Sequence, residues 1–306
     1  MNSRDRFALL ADGNRVCYRT AGDPSDRPLV LIAGLSLDLT SWPAAIVDGL
    51  VERGFYVIAP DNRDVGHSTW ATSKPPGLVR QMLSKPRSDG YDLADMAGDV
   101  IGLLDHLGIA SAHIVGMSMG GMIAQTVAAR YPDRAASLTS IFSTTGAPGV
   151  GQVALSTKVL MGKPPARTRE KFIASHVGLM RHLAGRKYPL DVAAATAYAA
   201  GAWERGPGPM AAEGVARQIN AIYKSGDRTA ELVNVTAPTV VIHGDRDRIV
   251  APSGGQATAA AIRGARHVTI PGMGHDIAAG VVDRILGEIT QNAARAATTS
   301  LSPQQN

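Results

Sequence analysis

Short runs of continuous apolar residues alternate with amphipathic stretches along most of the chain. PLVLIAG (28–34), GFYVIAP (54–60), HIVGM (113–117), SLTSIF (137–142), TVVIHG (239–244) and ARHVTIPG (265–272) have the length expected of strands, several of them buried on both faces. FALL (7–10) and RVCYRT (15–20), separated by ADGN, read as an opening hairpin. Between the runs the apolar spacing becomes helical. Residues 92–107 place Leu93, Met96, Val100, Leu103, Leu104 and Leu107 on one face. Further helices are expected at about 42–53, 119–130, 252–262 and 277–293. This alternation predicts an α/β fold with a mainly parallel sheet and helices on both faces.

One segment breaks the rhythm. Residues 147–232 hold no buried strand pattern, only helical stretches broken by KPP (163–165) and GPGP (206–209). A structureless loop of that length is implausible inside a compact domain, so an inserted helical cap is expected there. The organisation is then a core of 1–146 and 233–293, a cap of 147–232 and a frayed tail of 294–306.

Composition narrows the class. Of 306 residues, 45% are hydrophobic and 19% charged, which suits a sizeable core and excludes a disordered chain. No apolar run approaches the roughly 20 residues that span a bilayer. The first residues interleave charges and lack the apolar stretch of a secretory signal. The single cysteine, Cys17, excludes an internal disulfide framework, and a cytoplasmic address is expected. The net charge of +5 is modest, and no RNA-recognition motif, zinc-finger spacing or long basic helix suggests a nucleic-acid partner. The charge is uneven, however: residues 69–88 carry +4 and residues 158–187 carry +7, leaving −6 for the remainder.

Gly116-Met117-Ser118-Met119-Gly120 is the strongest chemical signal. It matches G-x-S-x-G, directly after an apolar strand and directly before a helix. In that setting the serine stands on a tight strand-to-helix turn, and small residues on either side are sterically required. A serine nucleophile needs a base, and the base needs an orienting carboxylate. With this elbow the chain order is serine, acid, histidine. Asp245 and Asp247 follow the TVVIHG strand, and His275 follows PGMG. Of the eight histidines, His275 alone has the flexible lead-in and the right position; His67, His106, His113, His176, His182, His243 and His267 are expected off the catalytic edge, most of them structural. HGDRD (243–247) offers no second ligand group at metal-binding spacing, and dinucleotide and Walker motifs are missing, so neither metal nor nucleotide cofactor is implied.

Together these segments resemble the α/β-hydrolase superfamily over nearly the whole chain. GMSMG is similar to its nucleophile elbow. DNRDVGHS (61–68) resembles the family's D-x-R-G-x-G-x-S, with Asp64 in place of the glycine. HGDRDRIVAP (243–252) resembles the acid turn and selects Asp247 over Asp245, and PGMGH resembles the histidine loop. The finer pattern looks most like bacterial esterases of the aclacinomycin methylesterase type. The resemblance implies a Ser118–His275–Asp247 triad with an oxyanion hole from the Met119 and Leu35 N–H groups. At the latter segment Ala33 replaces the family's usual histidine, which leaves the backbone donor in place but removes the hydrogen bonds that histidine makes.

The activity so implied is hydrolysis of a small-molecule carboxylic ester. A cofactor-free perhydrolase of the haloperoxidase type would use the same triad, and a non-catalytic ligand-binding member of the fold is the third alternative. Cap residues Met161, Met180, Tyr198, Trp203, Met210 and Tyr223 are candidates to line the pocket. The basic segments raise an anionic ester, such as a half-ester, as a substrate.

Overall fold

The computed structural model describes residues 4–77, 80–81 and 83–299. Eight strands form one sheet in the order β1-β2-β4-β3-β5-β6-β7-β8. They are β1 (Arg6–Leu9), β2 (Arg15–Ala21), β3 (Arg27–Ile32), β4 (Phe55–Pro60), β5 (Ala112–Met117), β6 (Ala135–Ile141), β7 (Thr239–Gly244) and β8 (Arg266–Ile270). β1 and β2 run antiparallel at one edge, and the pairings from β4 through β8 are parallel.

The helices covering the sheet are α1 (Ala44–Val51), α2 (Leu93–His106), α3 (Met119–Arg130), α9 (Ser253–Ala261) and α10 (Val282–Thr299). Side chains alternate along each strand, so one strand feeds both faces. Val30 and Ile32 of β3 pack in a cluster with Leu93 and Met96 of α2 and Ile123 and Val127 of α3. Their neighbours Leu29 and Leu31 pack on the other face with Ile46 and Leu50 of α1 and Ile285 and Ile289 of α10. β5 is buried at all six positions because it lies mid-sheet between these layers. At the start of α2, Asp92 accepts from the Ala94 and Asp95 amides while the Asp95 carboxylate accepts from the Asp92 amide, a reciprocal cap.

Between β6 and β7 the chain forms α4 (Leu155–Met161), α5 (Arg169–Leu183), α6 (Val192–Arg205), α7 (Ala211–Ser225) and the short α8 (Thr229–Leu232), with no strand. The face α7 presents to the core is largely polar: Arg217, Gln218 and Asn220 are buried there beside Gly214 and Ala221. Asn220 Oδ1 accepts from the Arg87 amide, Lys224 Nζ donates to Gly90 O, and Ser225 Oγ accepts from the Leu93 amide. These positions recur at three- and four-residue steps, the spacing of one helix face. α8 sits against α3 and α9, and its Leu232 is buried in the first of the two core clusters. The residues expected as a frayed tail begin inside α10, which continues to Thr299; 300–306 lie outside the described residues.

Candidate active site

β5 ends at Met117, and Ser118 turns the chain into α3 with φ 54° and ψ −121°. That left-handed backbone is costly for a residue with a Cβ and marks a turn that its surroundings enforce. The enforcement is visible. A side chain at Gly116 would strike the Gly120 carbonyl, and one at Gly120 would strike the carbonyls of Ile32 and Ala33. Ser118 N–H donates to Ile141 O at 2.9 Å, and Ser143 Oγ donates to Ser118 O at 2.8 Å. The hydroxyl therefore stands at a helix N-terminus, where the dipole favours negative charge.

His275 lies beyond β8. Its ring packs on Phe142 at 4.4 Å between centroids, and Phe142 follows the Ile141 carbonyl that holds Ser118. His275 Nδ1 lies 2.6 Å from Asp247 Oδ2. The other oxygen, Oδ1, accepts from the Ile249 and Val250 amides, each at 2.9 Å. Burial pushes the Asp247 carboxyl up, but His275 and His243 outweigh it and hold the group well below the usual carboxylate range. Asp245 does something else: it accepts from Gly272 N at 2.6 Å and so fastens the loop leading to His275. Among the described residues no hydrogen bond joins the Ser118 hydroxyl to His275; catalytic contacts of this kind often tighten only when substrate binds.

Two amides flank Ser118. Among the described residues neither the Met119 nor the Leu35 N–H donates to another group. The Leu35 loop comes close, since a Cβ on Gly34 would lie 3.3 Å from Ser118 Cβ. Two unengaged donors beside a strained serine are what an oxyanion hole requires.

His243 corrects the sequence reading, which placed it off the catalytic edge. Fully buried, its Nε2 donates to Val250 O at 2.9 Å and lies 3.4 Å from Asp247 Oδ2, so it contacts the carboxylate that holds His275. No local signal marked it, because His243 lies on strand β7 and Asp247 in the turn that follows, where a four-residue step is not one helix face.

The candidate pocket residues fall into two groups. Tyr198 Oη accepts from the Asp38 amide at 3.2 Å, close to the Leu35 loop. Trp203 packs on Phe172, and half-buried Met180 lies on α5, whose Leu183 O accepts from His275 N. Met161, Met210 and Tyr223 are 42%, 60% and 41% exposed, and Tyr223 lies on the side of α7 away from its buried face. A cleft of about 600 Å³ lined by Thr20, Gly22, Asp48 and Tyr56 lies at the antiparallel edge and touches none of Ser118, Asp247 and His275.

Asp5, Cys17 and His67 bring one metal-ligating atom each within 4.8 Å of one another. Both Asp5 oxygens are already engaged, by Arg19 at 2.6 Å and by His67 and Arg205 at 2.6 and 2.8 Å. Arg205 Nη2 also sits 3.9 Å from Cys17 Sγ, so two guanidinium groups occupy the place a cation would need. Burial pushes the Cys17 thiol up, which disfavours the thiolate a metal binds.

The fold and the site together define a class. Residues 27–279 match the family model described as alpha/beta hydrolase fold, and the chain belongs to that family. It is 30% identical to a rhodomycin D methylesterase of Streptomyces peucetius over 97% of this chain and 98% of that protein. It is 25% identical to a bifunctional esterase/perhydrolase of Acinetobacter calcoaceticus, over 88% of this chain and 92% of the relative. Among solved structures, the enol-lactonase of Burkholderia xenovorans superimposes with a TM-score of 0.69 at 26% identity, covering 96% of this chain and all of that one. Among the described residues no helix is long and apolar enough to cross a membrane.

Proposed function

We infer that this α/β hydrolase cleaves carboxylic esters of small to medium molecules through Ser118, His275 and Asp247. The chain is an enzyme of the carboxylic-ester hydrolase class. The observation that carries the residue roles is Ser118, held at φ 54° on a helix N-terminus beside two unengaged amides, on the sheet edge where Asp247 grips His275 at 2.6 Å. Ser118 Oγ attacks the ester carbonyl while His275 Nε2 takes its proton, and Asp247 holds Nδ1–H and stabilises the imidazolium. The Leu35 and Met119 N–H groups receive the oxyanion. The alcohol leaves with the proton from His275. Water then attacks the acyl-enzyme by the same route, releasing the acid and restoring Ser118.

A methyl ester is the first substrate to test, because the relative covered over nearly its full length is named a methylesterase. Met180, Tyr198 and Trp203 line the substrate pocket in this reading. All eight Lys and Arg residues between 158 and 187 are exposed, with Arg169 paired to Glu204 at 3.1 Å, which favours an anionic ester.

Ser118→Ala is expected to stay folded and to lose ester hydrolysis by about 10⁴-fold or more, together with fluorophosphonate labelling. Near wild-type hydrolysis by this variant would remove the assignment. The anionic preference is read in the wild type, as kcat/KM for a half-ester against its neutral diester between about 0.01 and 0.1 M salt. Preference for the diester with no salt response would leave the basic surface without a role in catalysis.

A further inference from the structure

The Leu35 loop is held from an unexpected direction. Ser36, the next residue, sits at φ 62°. Its N–H donates to Gln218 Oε1 of α7 at 2.8 Å, and Gln218 Nε2 donates to Arg63 O at 2.8 Å. Gln218 is completely buried. A backbone N–H can only donate and a carbonyl can only accept, so these two partners fix which way the amide faces. Arg217, one residue earlier, places Nη2 and Nε 2.8 and 2.9 Å from the Asp64 carboxylate and pins this turn of α7 to the core.

We propose that Gln218 is a positioning residue for ester hydrolysis: by gripping the Ser36 amide it aligns the Leu35 N–H as an oxyanion donor. The proposal rests on the functional reading above. Leu37 N–H donates to Gly34 O at 3.2 Å. Gly34 O shares a peptide plane with Leu35 N, and in a trans peptide the N–H points opposite the carbonyl. That bond orients one plane and Gln218 orients the next, so Leu35 is bracketed on both sides. Without Gln218 the left-handed Ser36 has no polar side chain holding its amide, and the backbone is free to relax toward an ordinary conformation. Asn62 Nδ2 donates to Ala33 O at 3.0 Å and secures the start of the loop. Asn62 and Gln218 thus brace a loop that has Ala33, with no polar side chain, where the resemblance places a histidine.

The test compares Gln218→Met, similar in size but unable to accept, with Gln218→Glu, which keeps an acceptor for Ser36. Ser118→Ala runs alongside, and folding is followed by near-ultraviolet circular dichroism. With a nitrophenyl ester, Gln218→Met is expected to lower kcat at least tenfold while KM moves less than twofold. It should weaken a trifluoromethyl ketone, which forms the oxyanion adduct on Ser118, by a similar factor. Gln218→Glu should recover at least a third of the wild-type kcat and ketone affinity. A folded Gln218→Met with kcat within twofold of wild type overturns the proposal, as does a loss of kcat with unchanged ketone affinity. Should Gln218→Met fail to fold, a folded Gln218→Glu that loses tenfold in ketone affinity overturns it, and one that keeps it supports it. Full activity in Ser118→Ala would instead sink the functional reading itself. An inactive Ser118→Ala with an unimpaired Gln218→Met would sink only the role of Gln218.

Discussion

Replacing Arg217 by methionine tests how the inserted helices are fastened to the core. Asp64 has a side chain with no solvent exposure, and its two oxygens take Nη2 and Nε of Arg217 at 2.8 and 2.9 Å. Tyr91 Oη donates to the same carboxylate at 2.8 Å and the Ala71 amide at 2.9 Å. A buried ion pair contributes little compared with a well-packed apolar pair, but removing one partner strands a charge and costs about 3–5 kcal/mol. Arg217→Met should therefore lose about that much. Asp64→Gly alone strands Arg217, whose other carboxylate contact is Glu213 at 3.6 Å, so its loss should be of similar size. In the double variant no charge is stranded. Glycine at φ 67° relieves about 1 kcal/mol of backbone strain, while the orphaned Tyr91 hydroxyl and Ala71 amide cost about 1–3 kcal/mol each. The double variant should thus lie about 1–5 kcal/mol below wild type, short of the roughly 6–10 kcal/mol to which the two single losses sum. Urea unfolding followed by circular dichroism measures all four proteins, and limited proteolysis near α7 reports whether that helix detaches first. A loss under about 1 kcal/mol for Arg217→Met, or a double variant whose loss equals the sum of the two single losses, would refute the reasoning.

Two further expectations concern the triad acid and pH. Asp247→Asn should lower kcat by orders of magnitude, by favouring the wrong imidazole tautomer, whereas Asp245→Asn disturbs the Gly272 amide and an exposed contact with Arg246 and should be far milder; steady-state rates giving the reverse order would show Asp245 to be the acid. Buried His113 has its pKa pushed down to about 4 by burial and by the charge of Arg27. The unfolded chain protonates this group near pH 6.5 and the folded chain only near 4, so the unfolded state binds the extra proton between those values. Stability should fall by about 3 kcal/mol as pH drops through that window, and His113→Gln should remove most of the slope in urea midpoints at pH 7 and 4.5. A variant with the wild-type slope would exclude His113 as the cause.

The sheet was legible because its strands are buried on both faces: β3, β4, β5 and β7 read as unbroken apolar runs whatever surrounds them. The three positions of the proposed triad stand out in the sequence for a related reason, since each follows a strand and each motif is complete within a few residues. What escaped was polar burial at long range. The expected last helix stopped at 293, yet Asn292 is fully buried and donates from Nδ2 to Leu138 O and Pro238 O at 2.9 and 3.0 Å, and Arg295 donates to Thr239 O and Gly264 O. Those anchors are hydrophilic, so an apolar pattern ends before the helix does. α7 misled in the same way. Tyr223 drew attention as an aromatic, while the buried face belongs to Arg217, Gln218 and Asn220. One local clue did exist: a carboxylate at Asp64, where the resemblance places glycine, needs a partner if it is buried. That partner stands 153 residues away.

The inserted helices hydrogen-bond to the segments that carry the proposed catalytic residues. Leu183 O of α5 accepts the His275 amide at 3.0 Å, Tyr198 Oη of α6 accepts the Asp38 amide at 3.2 Å, and Gln218 of α7 accepts the Ser36 amide at 2.8 Å. Arg205, at the end of α6, bridges Asp38 and Asp61 at 3.1 and 2.7 Å and is itself almost buried. Three separate helices thus brace the proposed base and the Leu35 loop, and two of them are tied down by guanidinium–carboxylate contacts that are costly to break one-sidedly. A mobile lid would have to strand those charges each time it opened. Substrate entry is cheaper around the exposed ends of the helices than by lifting α6 and α7 away, so changes in substrate preference should come from exposed side chains there, while changes at Arg205, Arg217 or Gln218 disturb the reacting geometry itself.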